Sequence, residues 1–519
     1  MSDSPGTRPH NAGQTPTEHA ASSCSRKNAS SRPRTPIIPG STGLMFSLEH
    51  VEIDKQAARP IYQQIYEAIR DGIKSGAYPL GEKLPSIRAM ASQLHVARNT
   101  IDTAYRQLVV EGYVKSKQGS GYIVQDISAY RAYPPCDAPE ADCAEASDPC
   151  RGGCTYDFLY GDLCADVFPA DDWRRLAGEV LTDANAAKLS SYSERKGEYS
   201  LRSQIACYLG RTRGVSCRPE QVVITSGTQQ SLATVLRLFD RDSDLVALEN
   251  PGFTGARAAV ENAGFSCRPI RTDKGSAAYL SDIGRSGARI VYTTPSHQFP
   301  MGWHMGQRTR AELLEWAQKA DAYLIEDDYD CGYRFDVQPV PSLQSEDSWG
   351  RVIYFGSFSK TLSPALRISY LVLPTHLLPR YEKGFTGTRC TVGWVDQEIL
   401  RRFMEQGLWE KHLRRMFNRY RKRHSLLMRM LGEAFDGRVR VHSGHAGLFV
   451  LLEVDNGMNQ EQLIAAARNH DVSVYDTRRY WLDPDRAPGN LVLLGFSAAS
   501  ETTIERGVPA LAQAWFPGG

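Results

Sequence analysis

The chain has 519 residues and a formal net charge of only +2, so its length predicts two or more domains rather than a single core. Hydrophobic residues make up 41% of it and charged residues 23%, a balance typical of a soluble globular protein. No apolar run reaches the roughly 18–20 residues that span a bilayer, and the N-terminal segment lacks the apolar stretch of a secretory signal. We therefore expect no membrane partner and a cytoplasmic location.

The cysteines number eleven, an odd count in a chain without a predicted secretion signal, which favours reduced thiols. Four of them, Cys136, Cys143, Cys150 and Cys154, cluster in an acidic stretch. Their spacings lack the tight pairs of zinc modules. We favour plain linker cysteines and expect no metal, with a metal or redox role as the alternative.

Residues 1–45 are rich in Ser, Pro, Thr, Gly and Asn and have almost no aliphatic periodicity. Such a segment cannot bury enough apolar surface to offset its ordering entropy, so we predict a disordered tail. Translation that starts at Met45, where ordered-looking sequence begins, is an alternative.

A compact domain is predicted over residues 46–125. The segment PIYQQIYEAIRDGIKSG places isoleucines four residues apart, a stripe typical of an amphipathic helix. LPSIRAMASQL predicts a short helix capped by Ser86, and RNTIDTAYRQLVVEG predicts the next helix after the turn HVA. YVKSKQGSGYIV predicts two short strands joined by a Gly-rich turn. Together these elements predict a helix-turn-helix with a wing.

The charges of this domain favour DNA, since residues 83–121 hold six Lys or Arg and only two acids. The stretch from LPSIRAMASQL to GSGYIV resembles the GntR-type winged helix, which implies double-stranded operator DNA as the partner. A small helical dimerisation domain is the alternative. The predicted DNA contacts are Arg98, Asn99 and Thr100 at base edges and Arg88, Lys115 and Lys117 at the backbone.

Residues 126–155 are predicted to be an acidic linker containing proline and cysteine. Its first part, 126–150, holds six acids and four prolines against a single arginine. That composition predicts an extended, self-repelling segment.

The remaining residues, 156–519, alternate β-like runs (VVITSG, DLVALEN, RIVYTTP, AYLIEDD, RVIYFGS) with segments of helical length. This alternation predicts an α/β domain with a mainly parallel sheet covered by helices.

Motifs in this region resemble those of fold-type I aminotransferases, in the same order and over nearly its full length. SFSKTLSPALRISYLVLP is the most specific. The resemblance implies that Lys360 forms a Schiff base with pyridoxal 5'-phosphate and that Ser357 and Arg367 bind the cofactor's phosphate.

Three further motifs complete the implied cofactor site. SGTQQ follows a predicted strand and opens a helix, so that Ser226, Gly227 and Thr228 would offer backbone amides to the phosphate. In EDDYD, Asp327 would keep the pyridine nitrogen protonated, and Tyr329 would hydrogen-bond the phenolic oxygen. In ENPGF, Phe253 would stack on the ring.

Two departures from the aminotransferase pattern concern the substrate side. TPSHQFPMG places Phe299 where these enzymes usually have an asparagine that binds the cofactor, which puts full transamination in doubt. Leu493 falls near the position at which aminotransferases usually have the arginine that binds the substrate carboxylate. We therefore predict that Arg479 binds an effector carboxylate, with Arg478 as the second candidate and a plain surface arginine as the alternative.

The fusion of the two modules over residues 46–519 resembles the MocR family of GabR-like transcriptional regulators. The resemblance implies a homodimer, in which the winged helices can be exchanged between chains, and a small amino compound as the effector that reacts at Lys360. A working aminotransferase with an accessory DNA-binding module is one alternative. A regulator of vitamin B6 synthesis or salvage that senses pyridoxal phosphate itself is another.

A basic segment, KHLRRMFNRYRKRH (411–424), lies outside these motifs. We favour a solvated helix face for it, with an extension of the DNA path as the alternative.

Overall fold

The computed structural model describes residues 53–54, 57, 59–117, 119, 121–127, 153–330, 332–335, 340–442 and 445–518. The predicted tail, most of the predicted linker and three of its four cysteines lie outside these residues. The chain divides into two compact units, Met1–Cys143 and Ala144–Gly519. No helix within the described ranges is long and apolar enough to cross a membrane.

The N-terminal unit contains the predicted three helices and the two-stranded wing. Its elements are α1 Ile61–Ser75, α2 Ile87–Gln93, α3 Arg98–Val110, β1 Val114–Lys117 and β2 Gly121–Val124. The α1 stripe packs as predicted, because Ile65, Ile69 and Ile73 are buried in one cluster with residues of α3. The Ser86 hydroxyl accepts a hydrogen bond from the Ala89 amide at 3.2 Å and caps α2.

The C-terminal unit contains a large domain and a smaller one. The helices are α4 Ala170–Val180, α5 Ala186–Leu189, α6 Tyr199–Arg213, α7 Thr228–Leu236, α8 Thr254–Asn262, α9 Gly275–Ser286, α10 Gln307–Lys319, α11 Leu378–Gly384, α12 Trp394–Glu405, α13 Leu408–Phe435, α14 Gln460–Asn469 and α15 Glu501–Trp515. The strands are β3 Tyr156–Asp157, β4 Val222–Thr225, β5 Val246–Asn250, β6 Cys267–Arg271, β7 Ile290–Thr293, β8 Tyr323–Asp327, β9 Val352–Ser357, β10 Ser369–Val372, β11 Val439–His442, β12 Phe449–Val454, β13 Val472–Ser473, β14 Tyr475–Asp476 and β15 Leu491–Gly495.

The central sheet has seven strands in the order β4-β10-β9-β8-β7-β5-β6. Only β10 runs in the direction opposite to the other six strands, so the prediction of a mainly parallel sheet is confirmed. Strands β4, β7 and β8 are buried along their whole length, as expected when helices cover both faces of a sheet. The carboxyl ends of the parallel strands meet at one edge, where sites in such sheets form.

The smaller domain is built on an antiparallel sheet in the order β11-β12-β15-β14. Helices α13, α14 and α15 contribute to its apolar core. Its short turn Arg478–Tyr480 follows β14. The backbone amide of Gly252, just beyond β5, donates to the Tyr480 carbonyl at 3.0 Å, and this contact joins the turn to the edge of the central sheet.

Candidate cofactor cavity and DNA-binding surface

A cavity of about 520 Å³ lies at the carboxyl edge of the central sheet, a volume typical of small-molecule and cofactor sites. Nine residues were predicted from sequence to bind the cofactor, and the structure places eight of them in its lining: Gly227, Thr228, Phe253, Asp327, Tyr329, Ser357, Lys360 and Arg367. The ninth, Ser226, is not in the lining.

Lys360 follows β9 and is the one lysine among the described residues that line the cavity. Its ammonium donates to the Gly161 carbonyl at 2.9 Å and lies 4.7 Å from the centre of the Tyr160 ring. Burial lowers the pKa of Lys360 to about 8, against smaller opposing effects of the Asp330 and Asp162 charges. A larger share of neutral amine is therefore present near neutral pH than for an ordinary lysine, and the neutral amine is the nucleophilic form.

Asp327 ends β8, and its two carboxylate oxygens have different surroundings. Oδ2 accepts a hydrogen bond from the Tyr292 hydroxyl, whereas Oδ1 is buried and has no hydrogen-bond partner among the described residues. Burial raises the pKa of Asp327 to about 7, while the Tyr292 bond opposes the rise. An unpaired buried acceptor is costly, so Oδ1 is suited to a cationic N–H group in the cavity.

The phosphate end of the predicted site is formed by Gly227 and Arg367. Gly227 has φ +125°, and a Cβ atom there would meet Arg367 Nη2 at 2.2 Å, so only glycine allows the guanidinium so close to the start of α7. The Ser357 hydroxyl accepts from the Ser359 amide at 3.1 Å and from the Ser369 hydroxyl at 2.9 Å. Its own hydrogen is left to donate to another acceptor.

Ser226 precedes α7, and both of its donors are hydrogen-bonded to a residue of that helix. Its backbone amide donates to Gln230 Oε1, and its hydroxyl donates to the same oxygen at 3.0 Å. Both donors therefore bond within the loop that opens α7, and the backbone amide predicted to bind phosphate is already engaged.

The two adjacent arginines of DTRRYW point to different places. Arg479 is exposed and lines the cavity, and its Nη2 donates to the Tyr480 hydroxyl at 3.1 Å. Arg478 lines a separate groove, where its guanidinium pairs with Glu461 at 3.0 Å and Asp485 at 3.3 Å. Leu493 is a buried residue of β15.

Several lining residues were not predicted from sequence. Tyr160 comes from the segment after β3 and lies under Lys360, while Tyr292 supports Asp327. Phe299, by contrast, was placed from sequence at the position of the usual cofactor-binding asparagine, and it does line the cavity, with its ring 5.5 Å from Tyr160 and 4.7 Å from Tyr480. Tyr160 follows a two-residue strand and Tyr292 lies in a buried strand, and neither stands in a local motif that signals a site, so only the tertiary contacts identify them.

A buried glutamate holds the loop that carries Phe299. Glu249 of β5 accepts hydrogen bonds from the Thr293 hydroxyl at 2.7 Å, the Thr294 amide at 3.0 Å and Gln298 Nε2 at 3.2 Å. Burial raises the pKa of this carboxyl, and the threonine bonds oppose the rise. Because the loop is fixed at several points, the apolar Phe299 stays in the wall of the cavity.

The cavity fits pyridoxal 5'-phosphate. The unpaired Oδ1 of Asp327 suits its pyridinium, Arg367 beside Gly227 suits its phosphate, and the Lys360 amine suits its aldehyde. When bound, the cofactor supplies an aldehyde that condenses with primary amines and a ring that withdraws electrons.

The predicted DNA contacts lie on the recognition elements of the N-terminal unit. Arg98 and Asn99 are exposed in the first turn of α3 and Thr100 is half-buried. Arg88 on α2 is exposed, as are Lys115 and Lys117 on β1. None of these four cations has an ion-pair partner among the residues that the structure describes, so they are available to phosphates.

The basic segment 411–424 belongs to α13. Its Lys411, Arg414 and Arg415 are exposed, whereas His412 and Arg423 are buried. Lys422 pairs with Glu501, which neutralises part of the charge of this face. These contacts are typical of a solvated helix surface.

A winged helix and a fold-type I cofactor cavity in one chain define a DNA-binding regulator with an aminotransferase-like domain. Residues 61–124 match the gntR family of bacterial regulatory proteins. Residues 161–484 match the family of class I and II aminotransferases. The chain is 35% identical to the HTH-type transcriptional regulator YdeL of Bacillus subtilis, over 88% of this chain and 97% of that protein. It is 31% identical to the probable rhizopine catabolism regulatory protein MocR of Rhizobium meliloti, over 89% and 95% of the two chains.

The chain belongs to the MocR family of transcriptional regulators. It is a DNA-binding regulator that depends on pyridoxal phosphate, and its relatives favour this function over that of a working aminotransferase. The large unit is similar to a multiple substrate aminotransferase from Thermococcus profundus, with 27% identity, a TM-score of 0.62 and coverage of 69% of this chain and 91% of that one. LysN, an α-aminoadipate aminotransferase from Thermus thermophilus, is similar with 26% identity, a TM-score of 0.62 and coverage of 69% and 92%.

Replacing Arg98 with alanine is expected to weaken DNA binding while the cofactor stays bound. Loss of a base contact would cost about 1–3 kcal/mol, whereas loss of a phosphate contact would mainly reduce the salt dependence. Mobility shifts at several salt concentrations would measure both, with a DNA fragment selected from a random pool. Arg106→Ala is the control, because Arg106 lies on the same helix but pairs with Asp102 at 2.9 Å. Equal affinities of the wild type and Arg98→Ala would remove Arg98 from the interface.

Proposed function

We propose that Lys360 binds the pyridoxal phosphate on which this regulator depends and that a small amino compound acting at this cavity is its signal. One observation carries the proposal: an amine, an unpaired carboxylate oxygen and a guanidinium beside a glycine share one cavity. These groups match the aldehyde, the ring nitrogen and the phosphate of the cofactor. In this proposal Ser226 supports, through its bonds to Gln230, the loop that opens α7 and binds the phosphate. Phe253 stacks on the pyridine ring of the cofactor.

The chemistry of the cavity favours an effector with a carboxylate. Arg367 and Arg479 are the exposed cations in the described part of its lining, and Arg367 is assigned to the cofactor's phosphate. Arg479 is therefore left for the effector, and its guanidinium is a two-pronged donor that suits a carboxylate. The effector's amine would act at the aldehyde carbon, while Arg479 holds its other end. Arg478 is the weaker candidate, because Glu461 and Asp485 already pair with it.

Regulation requires that the effector bind one arrangement of the DNA-binding units better than another. We infer that the chain acts in the cytoplasm as a homodimer, in which two winged helices contact two half-sites of an operator. Winged helices exchanged between the two chains would fit this scheme.

A panel of amino acids, plain amines and pyridoxal phosphate tests the proposal on the full chain. For each compound, the visible spectrum of the cofactor and the affinity for the selected DNA fragment are measured together. We expect one class of amino compound to change both. A response to pyridoxal phosphate alone would support the alternative of a regulator of vitamin B6 synthesis or salvage. This alternative has a relative of that kind, because the pyridoxine biosynthesis regulator PdxR of Corynebacterium glutamicum is 28% identical to this chain over 85% of its length. Sustained turnover with an amino donor and 2-oxoglutarate would support the enzyme alternative.

A further inference from the structure

A histidine and an aspartate are buried together behind the cofactor cavity. His297 and Asp330 are each 3% exposed, and His297 Nδ1 lies 2.7 Å from Asp330 Oδ2. An ionised carboxylate only accepts hydrogen bonds, so the geometry places the imidazole proton on Nδ1. Nε2 of the same ring is buried and has no hydrogen-bond partner among the residues that the structure describes.

Packing holds the histidine ring in one orientation. The ring stacks on Phe449 at 5.0 Å between centroids. Gly447 covers the pair with φ +77°, and a Cβ atom there would lie 2.1 Å from His297 Cε1 and 2.7 Å from Asp330 Oδ2. A side chain at position 447 would therefore displace the histidine or the aspartate.

The Tyr329 hydroxyl joins the pair to the cavity. Tyr329 lines the cavity, and its hydroxyl donates to the His297 carbonyl at 3.0 Å and lies 3.2 Å from His297 Nδ1. The Nδ1–H group can therefore be shared between Asp330 and the tyrosine oxygen. A hydroxyl that accepts such a bond becomes a stronger donor itself, because hydrogen bonds in a chain polarise one another.

We propose that His297 and Asp330 form a buried pair that positions the Tyr329 hydroxyl and strengthens it as a donor to the cofactor's phenolic oxygen. The inference rests on the proposed function, because it requires pyridoxal phosphate at Lys360 beside Tyr329. Phe299 in the same lining is apolar and offers that oxygen no bond, which leaves Tyr329 as the donor that the pair would support. Rotation of the hydroxyl toward the cofactor exchanges a neutral bond to the His297 carbonyl for a stronger bond to an anionic oxygen.

The pair acts in an environment with several other charges. The titratable groups that interact with it besides Tyr329 are Lys360, Tyr160, Asp327, Arg334 and His304. His304 interacts with His297 only through its charge, so it provides a matched control.

The test is the pH midpoint at which the visible absorbance of the bound cofactor changes as the Lys360 nitrogen gains or loses its proton. A donor at the phenolic oxygen withdraws negative charge from it and lowers this midpoint. Tyr329→Phe should raise the midpoint by about one pH unit, the equivalent of one charge-assisted hydrogen bond. His297→Leu should raise it in the same direction by a smaller amount, about 0.3 pH unit, whereas His304→Gln should leave it unchanged.

His297→Asn separates positioning from simple packing. The asparagine amide places an N–H group near the position of Nδ1, so this variant should return the midpoint close to that of the wild type. Nitrogen NMR of the wild-type protein without cofactor tests the pair independently and should find the His297 proton on Nδ1.

Each outcome has a definite consequence. A midpoint that moves in Tyr329→Phe but not in His297→Leu would overturn this inference and leave the proposed function intact. A His297 proton found only on Nε2 would likewise overturn this inference and leave the proposed function intact. A wild-type protein that takes up no cofactor at Lys360 would overturn both.

Discussion

Replacing Lys360 with alanine is expected to abolish the covalent attachment of pyridoxal phosphate and the visible absorbance that attachment produces. Lys360 is the lysine that lines the cavity in the described part of the chain, and its lowered pKa of about 8 makes the amine available. Borohydride reduction followed by peptide mapping would measure the attachment. In the wild type the label should be on the peptide that contains Lys360.

The matched control is Lys383→Ala. Lys383 is an exposed residue of α11, and its loss should leave absorbance and labelling unchanged. The Lys360→Ala variant should still bind DNA, because its substitution lies in the other compact unit, but its DNA affinity should no longer respond to the amino compound. A wild-type label on any other lysine would refute the assignment.

Replacing Arg479 with alanine is expected to weaken effector binding tenfold or more without changing the spectrum of the resting protein. A charge-assisted hydrogen bond contributes about 1.5–3 kcal/mol, and about 1.4 kcal/mol corresponds to a factor of ten. Arg479 lines the cavity but is separate from the residues that fit the cofactor's ring and phosphate. The effector-induced spectral shift, titrated with amino acids and plain amines, measures the change.

Arg478→Ala is the neighbouring control for this prediction. Its guanidinium pairs with Glu461 and Asp485 in a different groove, and such surface pairs contribute little, so effector affinity should change by less than about twofold. A plain amine should bind the wild type and Arg479→Ala equally, because it has no carboxylate. If the best amino acid also binds both equally, Arg479 does not hold its carboxylate.

The sequence by itself determined the elements whose signals are local. The isoleucine stripe of α1, the Ser86 cap and the two short strands of the wing each depend on neighbours within a few residues, and all formed where predicted. The five predicted strands became β4, β5, β7, β8 and β9, because a strand buried on both faces needs a continuous apolar run. The family motifs also placed eight residues in one cavity.

The tertiary structure decided what depends on contacts between distant segments. Gly161, which accepts the hydrogen bond of Lys360, is 199 residues away from it, and no local pattern links the two. Arg478 and Arg479 are equivalent in sequence, but the turn after β14 directs one into a surface groove and the other into the cavity. Likewise, His297 meets Asp330 only because the loops after β7 and β8 leave the same edge of the sheet. Local periodicity reports which side of an element is buried, whereas side-chain partners are set by how the elements pack.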